Sequence, residues 1–209
     1  MSLTALPILF CGWACTKAHF NPAIHFKEGF ICINKVNNIS AISRMLMSIK
    51  RPLHLIGLSL GAHYALQVAD HLQSTHTLKI NLISFRPNYT KEEIHLASQA
   101  LKKHSDSYLR FFFRRAIPTK AALSTASNCI TESLKTMDTP RLLSDLTLLA
   151  NNKSIELLEN LIIPVSFTHD INDKIAPFSE IKPVIRNIDH LHTHSCGHIP
   201  FFHKDFQCA

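Results

Sequence analysis

Short apolar runs alternate with longer stretches of helical spacing through the first 87 residues. Pro7–Phe10 is a compact apolar run and predicts a first strand, ending at Cys11-Gly12-Trp13. Phe30–Val36 predicts a second. In the next segment Ile39, Ile42, Leu46 and Ile49 recur at the period of one helix face, which predicts a helix over 39–49. Leu53–Ile56 predicts a third strand, running directly into Gly57-Leu58-Ser59-Leu60-Gly61 and a helix over 62–72. Leu78–Phe85 predicts a fourth strand, stopped by Pro87.

The pattern changes from about Asn88 to about Asn160. No strand-like run occurs there, and helical stretches follow one another: Lys91–His104, Ser107–Ile117, Lys120–Leu134, and Pro140–Asn160 with a break. Strand character returns at Leu161–Thr168, with Pro164 near its start, and again at His190–Ser195. Strands alternating with helices predict an α/β fold with a mostly parallel sheet. The expected division is a core of residues 1–87 and 161–209 with a helical lid insertion over 88–160.

Composition adds limits. A chain of 209 residues with 46% hydrophobic and 18% charged side chains suits one globular domain with an inserted part. No apolar run reaches the ~20 residues a membrane helix needs, and no Lys or Arg precedes the first apolar stretch, Leu6–Phe10. A secretory signal and a membrane role are therefore not expected, and the expected location is cytoplasmic. The six cysteines, Cys11, Cys15, Cys32, Cys129, Cys196 and Cys208, form no C-x-x-C pair and read as buried thiols in a reducing compartment. A net charge of +7 fits an acidic partner; no nucleic-acid-binding signature accompanies it.

The chemistry starts at Gly57-Leu58-Ser59-Leu60-Gly61, a G-x-S-x-G nucleophile elbow. A strand must turn sharply into a helix with serine at the tip, and glycines two residues to either side let neighbouring backbone pass. The chain has only five glycines, and two of them flank this serine. The motif's chain order puts an acid, then a histidine, further along. The acid belongs after the strand that follows the insertion, where Asp170 and Asp173 both stand. Asp173-Lys174-Ile175-Ala176-Pro177 fits a D-x-x-V/I-P loop and favours Asp173; a turn cap is the other role for Asp170. The histidine is His198, in Gly197-His198-Ile199-Pro200-Phe201. Backbone N–H groups of Leu60 and Trp13 are the expected oxyanion donors. His190, His192, His194 and His198 make a histidine-rich tail, but no carboxylate or thiolate set completes a metal site there, so neither a metal nor another cofactor is expected.

With these residues in place the chain resembles the α/β-hydrolase superfamily over nearly its whole length. Within it, the chain is most similar to the pimeloyl-acyl carrier protein methyl ester esterases of biotin synthesis. The likeness rests on Gly12-Trp13 after the first strand, Ser59-Leu60-Gly61 in the elbow, and His198-Ile199-Pro200-Phe201 followed by His203. The resemblance implies a serine carboxylesterase with a Ser59, Asp173, His198 triad. It also implies a helical lid whose basic side chains grip an acyl carrier protein, the protein otherwise acting as a monomer. Between Asn88 and Lys120 seven basic side chains face three acidic ones. Arg110 and Arg114 are four apart on the expected helix, hence on one face, with Arg115 beside them. Phe111, Phe112 and Phe113 cannot share one face; at least one, Phe111 among the candidates, is expected to line the acyl channel. The chain departs from that family in starting almost at the first core strand, in carrying Cys11 where a histidine usually precedes Gly-Trp, and in a shortened last helix.

Overall fold

The computed structural model describes residues 4–20 and 29–206. Of the cysteines, Cys208 lies outside the described residues; the other five are free thiols. Six strands form one parallel sheet: β1 (Leu6–Phe10), β2 (Ile31–Ile33), β3 (Leu53–Leu58), β4 (Leu78–Ile83), β5 (Ser166–Asp170) and β6 (His190–His194), in the order β2-β1-β3-β4-β5-β6. The order reverses between β1 and β3, so the loops after these two strands diverge and leave a crevice at their carboxyl ends.

The central strands read as nearly continuous apolar runs because both faces of the sheet are covered. Ile8, Leu9 and Phe10 of β1 and Leu55, Ile56 and Leu58 of β3 are fully buried. Helix α1 (Ile39–Met47) starts where the Asn38 side chain accepts from the Ala41 N–H at 2.9 Å. It packs on α2 (Leu60–Leu72), which lies against β1, β3 and β4 and buries Ala62, Ala65, Leu66, Val68, Ala69 and Leu72.

Between β4 and β5 the chain is helical throughout: α3 (Lys91–Lys103), α4 (Ser105–Ala116), α5 (Lys120–Thr125), α6 (Ser127–Thr136), α7 (Thr139–Ala150) and α8 (Ser154–Asn160). Thr90 and Glu93 form a reciprocal capping box at the start of α3, and Asp138 caps α7 ahead of Pro140. The expected helix over 120–134 is two helices that meet at Ala126, and the expected break in 140–160 falls at residues 151–153. Helix α8 packs against α2. A last short helix, α9 (Phe178–Ile181), follows β5.

Three strands are shorter than their apolar runs suggest; the expected 78–85 strand ends at Ile83, before Ser84 at φ 50°. The expected 30–36 strand is only Ile31–Ile33, because β1, its sole partner, ends at Phe10 before the Gly12 turn. The expected 161–168 strand begins at Ser166, where pairing with Asn81 of β4 starts; Pro164 has no N–H to give a ladder.

Candidate active site

The site is built at the carboxyl ends of β1, β3 and β5 and in the loop after β6. At the end of β3, Ser59 holds φ 51° and ψ −115°, and its N–H donates to Ile83 O of β4 at 2.8 Å. The left-handed φ costs a side-chain-bearing residue about 1–2 kcal/mol, and the ladder bond beside it helps hold the turn. The flanking glycines are sterically required. A Cβ at Gly61 would run into the Phe10 carbonyl, and one at Gly57 would stand 2.5 Å from Ala62 Cα.

Asp173 and His198 meet across the β5 and β6 loops. His198 Nδ1 lies 2.7 Å from Asp173 Oδ2, and both residues are buried. The other oxygen, Oδ1, accepts from the N–H groups of Ile175 (2.7 Å) and Ala176 (2.9 Å). Burial pushes the Asp173 carboxyl up, but the facing His198 imidazole and these N–H donors outweigh it and hold the carboxyl below its ordinary range. The N–H donors leave Oδ2 to orient the imidazole. His198 Nε2 is buried without a hydrogen-bond partner. The next residue anchors the loop, Ile199 N–H donating to Ala116 O at 3.0 Å.

Asp170 has a different position. Its carboxylate accepts from the N–H of Gly197 and, at 2.5 Å, from that of Asn172, so it ties the loop after β5 to the loop carrying His198. Asp173, the aspartate favoured by the sequence motif, is the one that faces His198 Nδ1.

After β1 the chain turns at Gly12–Cys15, closed by Cys15 N–H to Gly12 O at 3.1 Å with Ala14 at φ 56°. Among the described residues, neither the Trp13 nor the Leu60 N–H is given to another backbone carbonyl. The Trp13 indole points the other way: Nε1–H donates to Leu142 O of α7 at 3.0 Å, and the ring packs edge-on against Phe112 (5.0 Å) and Tyr108 (6.1 Å) of α4.

Ser59 opens into a cavity of about 460 Å³, within the usual range for a small-molecule site. Its walls are mainly Trp13, Ile94, Ala97, Phe112, Leu146 and Leu149. Phe111 is 53% exposed at its mouth, while Phe113 is buried and stacks on His19. Arg115 lines the mouth, donating to Lys174 O at 2.5 Å and lying over the Phe111 ring. Arg110 and Arg114 are exposed on the outside of α4 and do not line the cavity.

The sequence reading did not single out the polar end of this cavity. Tyr89 lines this end with Ser59, and burial pushes the pKa of its phenol far above the ordinary value, so it stays neutral. Arg86 lies under the Tyr89 ring and joins Glu93 of α3 to Glu180 of α9, at 2.8 Å each. The signal available was position: Arg86 and Tyr89 directly follow a strand whose carboxyl end faces the crevice.

No protein-family model matches the sequence, and no curated protein matches it. Solved structures do. The chain is similar to an esterase from Exiguobacterium antarcticum at a TM-score of 0.77 and 15% identity, covering 95% of this chain and 86% of that one. It is similar to an enol-lactonase from Burkholderia xenovorans LB400 (0.75, 10%, 95% and 85%) and to a bromoperoxidase from Bacillus anthracis (0.75, 13%, 95% and 87%). The chain has the α/β-hydrolase fold. In this α/β-hydrolase chain the cavity is lined by Trp13 after β1 and Ser59 after β3, and by Lys174 and Ile175, which directly follow Asp173. Among the described residues no group of three or more His, Cys, Asp or Glu is placed to hold a metal, and no helix is long and apolar enough to cross a membrane.

Proposed function

We propose that this chain is a serine carboxylesterase in which Ser59 is the nucleophile, His198 the general base and acid, and Asp173 its orienting carboxylate. The observation that carries the reading is the buried His198–Asp173 contact at 2.7 Å, with His198 Nε2 unpartnered, in a chain whose Ser59 sits at positive φ and lines an apolar cavity. His198 Nε2 takes the proton of the Ser59 hydroxyl as its oxygen attacks the ester carbonyl. The oxyanion is received by the N–H groups of Trp13 and Leu60. His198 then protonates the departing alcohol, and a water activated by the same imidazole releases the acid from Ser59. Asp173 keeps Nδ1 protonated throughout, so that Nε2 is the basic nitrogen. The enzyme needs no cofactor for these steps.

In its narrower form, the substrate is the methyl ester of a pimeloyl chain on acyl carrier protein, as in biotin synthesis. A methyl leaving group offers little to recognise, so selectivity would fall to the acyl cavity and to a carrier surface. Phe111 and Arg115 stand at the cavity mouth, and the exposed Arg110 and Arg114 form a cationic strip beside it that suits an acidic carrier and its phosphate. The broader form is a generalist short-chain esterase or thioesterase. It is favoured by the position of Arg110 and Arg114 outside the cavity, which leaves a free acyl ester unhindered.

Methanol release from the pimeloyl-carrier methyl ester and hydrolysis of p-nitrophenyl butyrate, each with the native chain and Ser59→Ala, test both forms. Loss of both activities by about 10⁴-fold or more in Ser59→Ala is expected. Butyrate cleavage without methanol release removes the carrier-linked substrate and leaves the esterase. Activity that survives Ser59→Ala refutes the mechanism.

A further inference from the structure

A second reactive arrangement lies directly before the Gly12–Trp13 turn. In the parallel β1–β2 ladder Leu9 pairs with Cys32, and Cys11 comes two residues later, so both thiols leave the same face of the sheet. Their sulfurs are 3.6 Å apart. Both reach one acceptor, Asn34 Oδ1, Cys11 at 2.9 Å and Cys32 at 3.2 Å. Cys11 is buried, whereas Cys32, on the edge strand, is partly exposed.

The two thiols are unequal. The Cys11 S–H lowers the pKa of the Cys32 thiol, burial opposes this, and the Lys17 ammonium adds to the lowering. Cys11 is pushed up, first by its partner and then by burial. The accessible sulfur is thus the more readily ionised of the two and the buried one the more firmly protonated, which suits an attacking and a resolving cysteine.

We propose that Cys11 and Cys32 form a reversible disulfide under peroxide, and that this bond displaces the Gly12–Trp13 turn from Ser59. The Cys32 thiolate attacks one oxygen of hydrogen peroxide; the O–O bond breaks, hydroxide leaves, and Cys32 becomes a sulfenic acid. Cys11 sulfur then attacks Cys32 sulfur; the S–O bond breaks and water leaves with the Cys11 proton. Two thiols are oxidised by two electrons and one peroxide is reduced to two waters. A dithiol reductant reverses the bond.

The coupling to the site follows from the turn. An S–S bond is about 2.05 Å long, so the sulfurs must close in and draw Cys11 toward β2. Cys11 directly precedes Gly12, and Cys15 N–H to Gly12 O ties the turn at 3.1 Å. The turn cannot move as one piece, because the Trp13 indole is anchored on Leu142 O. The displacement therefore falls on the Gly12–Trp13 peptide, whose N–H is a proposed oxyanion donor. This second half of the proposal rests on the esterase reading; the disulfide itself does not.

The test treats the full chain with hydrogen peroxide, caps remaining thiols, and maps tryptic peptides by mass, following p-nitrophenyl butyrate turnover in parallel. The expected product is the 1–17 peptide joined to the 28–35 peptide, two hydrogens lighter than their sum and separated again by dithiothreitol. Because 1–17 also contains Cys15, Cys15→Ser must still give the joined pair. Turnover should fall by about tenfold or more, toward the ~10²-fold that losing one oxyanion donor costs, and recover with dithiothreitol. Cys32→Ser should keep the reduced activity and resist peroxide. Peptides that stay separate, a link made only by Cys15, or Cys32 oxidised without linking each overturn the disulfide. A complete link with unchanged turnover overturns the coupling. A reduced chain that cleaves no ester refutes the esterase reading and the coupling, while the peptide map still decides the disulfide.

Discussion

At Asp173 one carboxylate serves two kinds of donor. Oδ1 takes the Ile175 and Ala176 N–H groups and Oδ2 faces His198 Nδ1. In Asp173→Asn the amide oxygen keeps the backbone donors, and its NH₂ meets Nδ1, which must then lose its proton to accept. Nε2 becomes the protonated nitrogen and cannot act as base. An ester-hydrolysis rate lowered by about 10⁴-fold with little loss of stability is expected. Asp170→Asn should behave in the opposite way. It weakens the ties to Gly197 and Asn172, costing about 1–3 kcal/mol and lowering Tm, while turnover stays within about tenfold of native. Steady-state kinetics and thermal melts on both variants check the pair; equal kinetic losses would refute the division of roles.

At the scale of elements, the helices between β4 and β5 are fastened to the sheet at a few points. Trp13 bonds Leu142 O of α7, and Arg86 joins α3 to α9. Trp13→Phe keeps a ring against Phe112 and keeps the backbone N–H, but it leaves the Leu142 carbonyl without its indole donor. A loss of about 1 kcal/mol and faster amide exchange within Thr139–Ala150 are expected, with the chemical step little changed. Unaltered exchange there would show that α7 is held by other contacts. The outer strip of α4 has a separate expectation. Arg110→Glu with Arg114→Glu should raise KM for the carrier-linked ester by about tenfold or more, since reversed charges repel an acidic partner. It should leave p-nitrophenyl butyrate unaffected, because neither side chain lines the cavity. Equal effects on both substrates would remove the carrier surface from α4.

For the molecule as a whole, buried histidines set the acid limit. Burial pushes the imidazoles of His19 and His63 down to about 4. His19 stacks on Phe113 of α4, and His63 Nδ1 lies 2.6 Å from Ser154 Oγ of α8, so both join the core to the helical segment. In the unfolded chain each takes up a proton near 6.5. Above that pH neither state is protonated and the histidines contribute no pH dependence. Between about 6.5 and 4 only the unfolded chain binds the protons, so stability falls as pH drops, by about 1.4 kcal/mol per pH unit for each group. The loss levels off below about 4. Burial pushes His54 down to about 4 as well, so urea midpoints from pH 7 to 4.5 should show a slope summed over at least three imidazoles, of which His63→Gln removes about a third or less. A flat profile would mean that these imidazoles are not desolvated in solution.

The residues that make the elbow were legible because the requirement is local. A serine at positive φ between a strand and a helix needs bare backbone at Gly57 and Gly61, whatever surrounds it, and strand order along the chain follows from apolar runs and their spacing. Strand ends were less legible, since β2 and β5 stop where a partner strand stops or starts and not where the apolar run does. Motif position favoured Asp173 over Asp170, but only the course of the loop after β5 brings the Asp173 carboxylate to His198, while Asp170, the last residue of the strand, meets Gly197. The same holds for Tyr89 in the cavity with Ser59, for Arg115 at the cavity mouth with Arg110 and Arg114 outside it, and for the sulfurs of Cys11 and Cys32. Local sequence determines what backbone a residue can adopt, but distance between side chains far apart in the chain is decided by packing. The α/β pattern and the elbow serine proposed as nucleophile belonged to the sequence alone, and which carboxylate, wall and thiol stand beside which partner belonged to the tertiary structure.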